Sequence, residues 1–333
     1  MRDLQALPKA HLHLHLELGM RPATLADLAA KYGQPVPEIR GYGSFTAFSE
    51  TCQAAIDFLR ERDDWERLAD EICADAVADG AVYIEPSLWA TQYRSIWGSD
   101  RATWELVFEI FERAAARHGI CVRFMAPVDR VFDDSPASIA LAELAVTLQP
   151  SGDGIGVVSF GLHNDEVGHP PQDFVDAFRI AREGGLQITP HAGELEHGQF
   201  VKDSIDLLGA QRIQHGVRSF EVPGLVEEIA ARGVCLDVCP TSNIMLSVFP
   251  SLAEHPLPRL LAAGVKCSLN ADDPLLFGPS MLDEYELCRR ELGLTDEQLA
   301  FMARCSIECG NAPDAVKTTA LAGIDAWLAY EPV

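Results

Sequence analysis

Eight short apolar stretches, each followed by a longer segment of helical periodicity, constrain this chain more than any other feature of its sequence. The apolar stretches occupy residues 10–16, 81–88, 121–128, 156–162, 186–192, 212–215, 234–238 and 265–269. The segments between them, such as 22–32 and 102–117, place apolar residues three and four positions apart. Strands alternating with helices predict a parallel sheet covered by helices. Eight repeats within 333 residues predict an α/β fold of one closed (β/α)8 barrel, a TIM barrel.

No linker, low-complexity segment or strong internal repeat divides the sequence, so we expect one domain over residues 1–333. The segment 24–70 is longer than one crossover helix requires, which predicts that part of it, around 44–58, covers the barrel mouth as a lid. Beyond the eighth predicted strand, residues 295–329 predict extra helices. Thr295 with Gln298 has the spacing of a capping box, and Pro313 marks a second helix start.

The charge balance restricts the partners of the protein. The chain carries 50 acidic against 26 basic residues, a net charge of −24, which disfavours nucleic acid and anionic membranes. Nine cysteines, an odd number without a Cys-x-x-Cys pair, suit reduced thiols better than a disulfide framework. No apolar leader and no run of about 18 apolar residues is present. The sequence therefore predicts a soluble cytoplasmic protein that acts on small molecules or proteins, and it does not indicate an oligomeric state.

Histidines alternate with leucines in the first predicted strand, from His11 to His15. Because alternate residues of a strand point to one side, His13 and His15 can reach the same metal ion. The competing interpretation is a half-buried strand whose histidines alternate by chance. His11 lies about 13 Å from His15 at about 3.3 Å per residue, too far to share the ion. We expect His11 to pack or to face solvent.

Further metal-binding residue types stand where other predicted strands end. They occur in Pro190-His191-Ala192-Gly193-Glu194, Gln214-His215-Gly216 and Asn270-Ala271-Asp272-Asp273-Pro274. Active sites of such barrels lie at the carboxyl ends of the strands, so these side chains should converge. Each motif alone has an ordinary explanation, as a loop histidine, a core histidine or a turn before proline. Together they form the set of imidazoles and carboxylate that zinc favours.

Five blocks of the sequence resemble the signature motifs of the adenosine deaminase family, in family order across nearly the whole chain. They are Leu7-Pro8-Lys9-Ala10 with His13-Leu14-His15-Leu16, then the His191 motif, Arg212-Ile213-Gln214-His215-Gly216, Cys239-Pro240-Thr241-Ser242-Asn243, and Ser268-Leu269 with the Asp272 motif. The resemblance implies a barrel metalloenzyme that deaminates a 6-aminopurine, with small-molecule purines as its partners. The expected reaction is attack of a metal-activated water on C6 of the ring, followed by loss of ammonia.

The resemblance also implies roles for individual residues. One divalent metal, usually zinc, would be held by His13, His15, His191 and Asp272. The catalytic residues would be Glu194, which protonates N1 of the purine, His215, which orients and helps to deprotonate the water, and Asp272. The substrate-binding residues would be His15, Glu17, Asn164 and Asp273, the last through N7 of the purine.

The sequence departs from the family pattern where the sugar is expected. Glu17-Leu18 stands in place of the usual Asp-Gly and resembles the adenine deaminase branch. Gly161-Leu162-His163-Asn164-Asp165-Glu166 replaces the usual Asp-Leu-Ala-Gly-Asp-Glu, so Asn164 occupies a glycine position, and asparagine tolerates a left-handed backbone. This form is similar to a subgroup that includes 6-aminodeoxyfutalosine deaminases. Adenosine, a 5′-modified adenosine, 6-aminodeoxyfutalosine and free adenine therefore all stay open as substrates.

Three other classes of protein fit the sequence less well. A binuclear barrel hydrolase would need a lysine at the end of the fourth strand, where none of the five lysines falls. The small zinc deaminases use His-x-Glu with Pro-Cys-x-x-Cys, which is absent, so Cys235 and Cys239 are interpreted as packing residues. A catalytically silent binding module would be expected to have lost a ligand or the acid, yet all of these residues are present.

Overall fold

A ring of short parallel strands forms the centre of the fold. The structure, a computed structural model, describes residues 1–39, 42 and 44–330; residues 331–333 of the expected domain lie outside this part. The strands are β1 (Lys9–His11), β2 (Ala81–Ile84), β3 (Cys121–Val122 and Phe124–Asp129), β4 (Val157–His163), β5 (Gln187–Ile188 and His191–Ala192), β6 (Arg212–His215), β7 (Cys235–Val238) and β8 (Lys266–Leu269). Each of the eight lies within or overlaps one of the predicted apolar stretches.

Parallel pairing joins each strand to the next, from β1 through β8. A bridge between Leu14 and Asp272 then connects the segment after β1 to the segment after β8. Two backbone hydrogen bonds form this closure: His15 N donates to Asp272 O and Asp272 N donates to His13 O, each at 3.2 Å. The fold is therefore the predicted (β/α)8 barrel, and the carboxyl ends of its strands meet at one mouth.

Helices surround the ring. They are α1 (Pro22–Tyr32), α2 (Phe45–Ile56), α3 (Arg62–Ala78), α4 (Arg94–Trp97), α5 (Asp100–His118), α6 (Ser135–Thr147), α7 (Val175–Glu183), α8 (Gln199–Asp203), α9 (Leu225–Arg232), α10 (Pro240–Met245), α11 (Leu257–Ala262), α12 (Pro274–Phe277), α13 (Met281–Glu291), α14 (Asp296–Cys309) and α15 (Asp314–Ala329). Short 3-10 turns and, in the part of the chain that the structure describes, one π turn, Ser204–Leu208, lie in the connections. Within the described ranges, no helix is both long and apolar enough to cross a bilayer.

Most of these helices coincide with the predicted segments. The α1 helix has the predicted bounds, with Pro22 at its first position, and the predicted capping box of Thr295 and Gln298 begins α14. Helix α6 was not predicted, because its sequence is nearly all small or apolar and lacks the polar face that reveals a helical period. Helix α2 lines the cavity at the barrel mouth, as expected for the segment around 44–58. Its N-cap is Ser44, whose side chain accepts from Ala47 N.

The first predicted strand is shorter in the structure than in the prediction. Ladder pairing stops at His11, because Leu12 N and His13 N donate to the side-chain oxygen of Asn270, at 2.8 and 3.1 Å, instead of to a neighbouring strand. His11 is buried and its Nε2 accepts from Ala271 N at 3.1 Å, so it packs rather than facing solvent. The fifth strand is likewise interrupted at Pro190, which has no N–H to donate to the ladder.

An ionic network fills the barrel interior below the mouth. Arg212 of β6 lies 2.8 Å from Glu85 Oε1 and 2.8 Å from Asp237 Oδ2, and all three side chains are fully buried. Burial alone raises the pKa of Glu85, but the Arg212 charge and hydrogen bonds from Ser159 and Tyr83 outweigh it and hold that pKa below its ordinary value. The network ties three strands together beneath the site.

Candidate active site

Three imidazoles and one carboxylate point their ligand atoms at the same small volume. His13, His15, His191 and Asp272 each offer one ligand atom, and these atoms lie within 4.8 Å of one another. His13 Nε2 is 3.1 Å from His191 Nε2 and 3.1 Å from Asp272 Oδ1, which is also 3.4 Å from His15 Nε2. Such a set of nitrogen and oxygen donors is typical of a metal site with an open position.

The outward ring nitrogens of the same histidines each meet an oxygen. His13 Nδ1 lies 3.2 Å from Asp237 O, His191 Nδ1 lies 3.1 Å from Leu162 O, and His15 Nδ1 lies 3.3 Å from the hydroxyl of Ser87. If each Nδ1 donates to its oxygen, each Nε2 lone pair points inward. This arrangement is characteristic of metal-ligating histidines, whose second nitrogen is held by an outer partner.

The electrostatics of the cluster favour a cation. Burial alone lowers the pKa of His15, but Asp273, Asp272 and Glu17 outweigh it and raise this pKa to about 9. Burial and the neighbouring imidazoles hold the pKa of His191 far below its usual value. The carboxylates thus attract positive charge to the cluster, and the neutral ring of His191 has a lone pair to offer. Both properties suit a divalent ion. The residues present therefore fit a metal.

Cys239 forms an overlapping group with His13 and His215, but it suits a metal less well. Its Sγ lies 3.4 Å from His13 Nδ1, on the outward side of that ring. Burial, and next to it the Asp272 charge, raise the pKa of the Cys239 thiol, whereas a cysteine binds metal as the thiolate. Both Cys235 and Cys239 are buried, as the packing interpretation expects.

Asp272 is fixed on both of its oxygens. Oδ1 faces the histidines, and Oδ2 accepts from the Ser242 hydroxyl at 2.7 Å. The backbone is left-handed at Asp272 (φ 62°), at His215 (φ 65°) and at Asn164 (φ 76°). Non-glycine residues rarely adopt this conformation, and it concentrates at functional sites. Three strands thus end in strained turns that aim side chains into the mouth.

Glu194 is held from behind by a second carboxylate. Glu166 Oε2 accepts from the backbone N–H groups of Glu194 at 3.1 Å, of Leu195 at 2.7 Å and of Glu196 at 2.7 Å. Burial, followed by the charges of Asp272 and Glu166, raises the pKa of Glu194 well above its ordinary value. Its Oε1 is buried without a hydrogen-bond partner among the described residues. The result is a carboxyl group that faces the cavity and whose protonated form is favoured by its surroundings.

His215 stands between this acid and the metal cluster. Its Nε2 is 3.4 Å from Glu194 Oε1 and 3.8 Å from Asp272 Oδ2. Burial, with the neighbouring His13, lowers the pKa of His215 to about 3, so the ring is neutral near pH 7. A neutral imidazole at this place can donate or accept a hydrogen bond, depending on which nitrogen carries the proton.

These groups face one cavity with a volume of about 920 Å³, including its solvent-open entrance, which is a size typical of small-molecule sites. It is lined by His15, Glu17, Leu18, Phe45, Phe48, Ser49, Cys52, Gln53, Ile56, Ser87, Trp89, Gln92, Asp129, Phe132, His163, Asn164, His191, Glu194, His215, Leu246, Asp272 and Asp273. Helix α2 contributes an apolar wall. No lysine or arginine occurs among these described lining residues.

The predicted substrate-binding residues all line this cavity. Asp273 has a raised pKa, caused by burial and the Asp272 charge, and its buried Oδ1 has no partner within the described ranges. Glu17 is buried and accepts from the Tyr93 hydroxyl at 2.8 Å. The Asn164 amide donates to Asp129 Oδ2 at 2.8 Å, and Asp129 lines the same cavity. At the rim, Phe132 is 68% exposed.

Several supporting residues were not predicted from the sequence. Ser242 and Asn243 lie in the Cys239 block, which carried the family resemblance but no assigned role. Glu166 ends the block that begins at Gly161 but likewise had no assigned role, and Ser87 lies in no motif. A residue that acts on a backbone or a ring nitrogen from behind needs no fixed spacing. The alternation of strands locates Ser87 at the end of β2, which is the one signal that could have indicated it.

Comparison with known proteins gives a consistent result. A family model described as "Adenosine deaminase" matches residues 8–327. A protein of Streptomyces virginiae, provisionally named an adenosine/adenine deaminase, is 40% identical over 98% of both chains. An aminodeoxyfutalosine deaminase of Acidothermus cellulolyticus is 34% identical, covering 86% of this chain and 84% of its own.

Solved structures share the same fold. The crystal structure of adenine deaminase from Arthrobacter aurescens superposes with a TM-score of 0.88 at 26% identity, covering 97% of this chain and 100% of that one. A zinc-bound amidohydrolase from Burkholderia ambifaria gives a TM-score of 0.84 at 25% identity, over 98% and 93% of the two chains.

Proposed function

Because the chain belongs to the adenosine deaminase family and is a metal-dependent hydrolase, we propose that it removes the 6-amino group of an uncharged purine nucleoside by hydrolysis. One observation supports this most directly. The ligand atoms of His13, His15, His191 and Asp272 converge in the same cavity as the unpartnered carboxyl oxygen of Glu194. A site for a Lewis acid and a group that keeps a proton thus face the same space.

We propose zinc as the metal, held by those four residues. When bound, it supplies the Lewis acidity that brings the pKa of a water ligand towards neutrality. The donor set and the zinc-bound relative support this identity.

The remaining steps belong to the protein's own residues. Glu194 donates its proton to N1 of the purine, which makes C6 a better electrophile. Asp273, kept protonated by burial, donates to the N7 lone pair and fixes the ring plane. His215 orients the attacking oxygen, which gives up two protons as it becomes the 6-oxo group: one restores the Glu194 carboxyl and the other leaves with the 6-amino group as ammonia. Helix α2 and its phenylalanines cover the ring and exclude bulk water.

The cavity wall supports an uncharged substrate. Among the described lining residues there are four carboxyl groups besides Asp272, those of Glu17, Asp129, Glu194 and Asp273. The same residues include no lysine or arginine that could pair with a phosphate. Trp89 stacks on the exposed Phe132 at the rim, with ring centroids 5.9 Å apart, which favours a nucleoside extended at its 5′ position as a second candidate. Free adenine is favoured instead by Glu17, because its carboxylate could accept from the N9–H that nucleosides lack.

A parallel assay separates these substrates. Zinc-loaded protein would receive adenosine, 2′-deoxyadenosine, 5′-methylthioadenosine, 6-aminodeoxyfutalosine, adenine and AMP, with absorbance loss and ammonia release as readouts. We expect kcat/KM for an uncharged nucleoside to exceed that for AMP by at least about 100-fold, the cost of leaving a charged group unpaired being about 3 kcal/mol. Preference for AMP, or ammonia release from none of the six, would contradict the proposal.

A further inference from the structure

Three hydrogen bonds connect the backbone of α11 to the ring of His215. Leu257 N lies 3.3 Å from His255 Nδ1, His255 Nε2 lies 3.1 Å from Asn243 Oδ1, and Asn243 Nδ2 lies 3.2 Å from His215 Nδ1. The three side chains are at most 3% exposed. Water therefore does not compete for these hydrogen bonds, and whether each group donates or accepts is determined by the group next to it.

The direction of this chain is fixed at its backbone end. A backbone N–H can only donate, so His255 Nδ1 accepts from Leu257 and the proton of the neutral His255 ring resides on Nε2. Burial lowers the pKa of His255 to about 4, so the ring is neutral near pH 7. His255 Nε2 then donates to Asn243 Oδ1, which orients the amide.

The orientation of Asn243 determines the proton position on His215. An amide NH₂ can only donate, so His215 Nδ1 must accept, and a neutral His215 carries its proton on Nε2. That nitrogen is the one facing the reaction centre, 3.4 Å from Glu194 Oε1. The reverse arrangement would place two N–H groups against each other or leave a buried carbonyl without a donor, and an unsatisfied buried polar group is unfavourable.

We infer that Asn243 and His255 are positioning residues that fix neutral His215 as the Nε2–H tautomer. His215 then holds the attacking oxygen by donating a hydrogen bond and stabilises the negative charge that develops on it. In this state the ring has no inward lone pair, so it does not take the proton of the water. The inference about the tautomer stands on hydrogen-bond geometry; its meaning for catalysis rests on the proposed function.

The tautomer can be observed without any turnover. Zinc-loaded protein labelled with ¹⁵N-histidine would be studied by long-range ¹H–¹⁵N correlation, with the His215 signals identified by their loss in His215→Gln. We expect an unprotonated, pyridine-type Nδ1 and a protonated, pyrrole-type Nε2. The opposite pattern in the wild-type protein would overturn the inference.

Two substitutions test the relay itself. Asn243→Asp replaces the donor with a carboxylate, which can only accept, so His215 Nδ1 must become protonated; we expect kcat to fall by about 10- to 100-fold with KM little changed. His255→Gln can still donate to Asn243 Oδ1, so the wild-type tautomer should persist and the loss of kcat should be smaller. Comparing the two variants separates the effect of hydrogen-bond direction at His215 from the effect of altered packing.

The outcomes distinguish this inference from the proposed function. An unaltered His215 tautomer in Asn243→Asp, or equal losses of kcat in both variants with identical spectra, would refute the relay. If the wild-type protein shows the expected tautomer but releases no ammonia from any purine, the relay stands and the proposed function fails.

Discussion

Replacing Glu166 with glutamine should test how the structure positions its acid. One oxygen of Glu166 accepts three backbone N–H groups, those of Glu194, Leu195 and Glu196, so it holds the loop that carries the Glu194 side chain. Glu166 itself is buried and is absent from the cavity lining. Its effect on catalysis should therefore pass through Glu194 alone.

The magnitude follows from the charge on the acceptor. A hydrogen bond to a charged group contributes about 1.5–3 kcal/mol, and one between neutral groups about 0.5–1.5 kcal/mol. Glu166→Gln exchanges three bonds of the first kind for at most three of the second, a loss of about 1 kcal/mol each. Because they share one oxygen, about 3 kcal/mol is an upper limit, equivalent to roughly 100-fold in kcat/KM.

A double-mutant cycle provides the assay. We expect Glu166→Gln to lower kcat/KM by about 10- to 100-fold in the wild-type protein. In a protein that already carries Glu194→Gln, the same substitution should lower kcat/KM little further. Asp165→Asn is the matched control, since it removes a charge from the neighbouring residue, whose Oδ1 accepts a single hydrogen bond among the described residues, from Val167 N. The reasoning would be refuted if Glu166→Gln lowered kcat/KM by less than twofold in the wild-type protein, or if it lowered kcat/KM as much in the Glu194→Gln background as in the wild-type protein.

Three further predictions concern the acid, the metal and the core. Glu194→Gln should retain metal and fold but lose about 10²- to 10⁴-fold in kcat, measured by ammonia release. Ser242→Ala frees one oxygen of Asp272 and should weaken zinc affinity by about 10- to 100-fold in a chelator competition, with Ser251→Ala as control. Arg212→Met leaves two buried carboxylates unpaired and should lower the free energy of unfolding by about 3–5 kcal/mol in urea.

The Arg212 prediction includes a pH dependence. In the wild-type protein Glu85 has a depressed pKa, so its contribution to stability is present above its unfolded pKa of about 4.3 and is lost as pH falls. In Arg212→Met the pKa of Glu85 should rise above its ordinary value, and that of Asp237, which burial already raises in the wild-type protein, should rise further, so the cost of burying both carboxyl groups grows above that pH. From pH 8 to pH 5 the wild-type contribution of Glu85 stays constant, so the difference in unfolding free energy between the two proteins should narrow through the carboxyl groups of the variant; loss of the Glu85 contribution narrows it further only below about pH 4. A difference in unfolding free energy that stays constant with pH would contradict the pH argument. Near-normal activity of Glu194→Gln would contradict the role of the acid, and unchanged zinc affinity of Ser242→Ala would contradict the role of that serine.

The barrel could be predicted from the sequence because the apolar stretches of strands and the three- and four-residue spacing of helices are both visible in short segments of the chain. The α1 helix and the start of α14 were predicted to the residue, since a proline and a capping box mark them. Helix α6 was missed for the opposite reason: packing, rather than a polar face, determines its conformation. The shortening of β1 could not be predicted, because the acceptor that replaces its ladder is a side chain more than 250 residues away.

The candidate site divides in the same way. The side chains that face the cavity, such as His191 and Glu194, stand at strand ends in recognisable motifs, and the structure brings them together. Glu166 and His255 act from behind and depend on loop conformation, which sequence spacing does not specify. The left-handed backbone at His215 and Asp272 is likewise a tertiary effect, because the intrinsic preference of these residues is against it.

The bridge between Leu14 and Asp272 has a consequence for biosynthesis. Two proposed metal ligands, His13 and His15, lie near the start of the chain and the fourth, Asp272, follows the last strand of the ring. A nascent chain exposes the two histidines long before Asp272 emerges from the ribosome. Complete four-residue coordination is therefore a late event in synthesis, and a chain truncated before Asp272 would expose an unpaired His-x-His segment that can bind metal ions without forming the site.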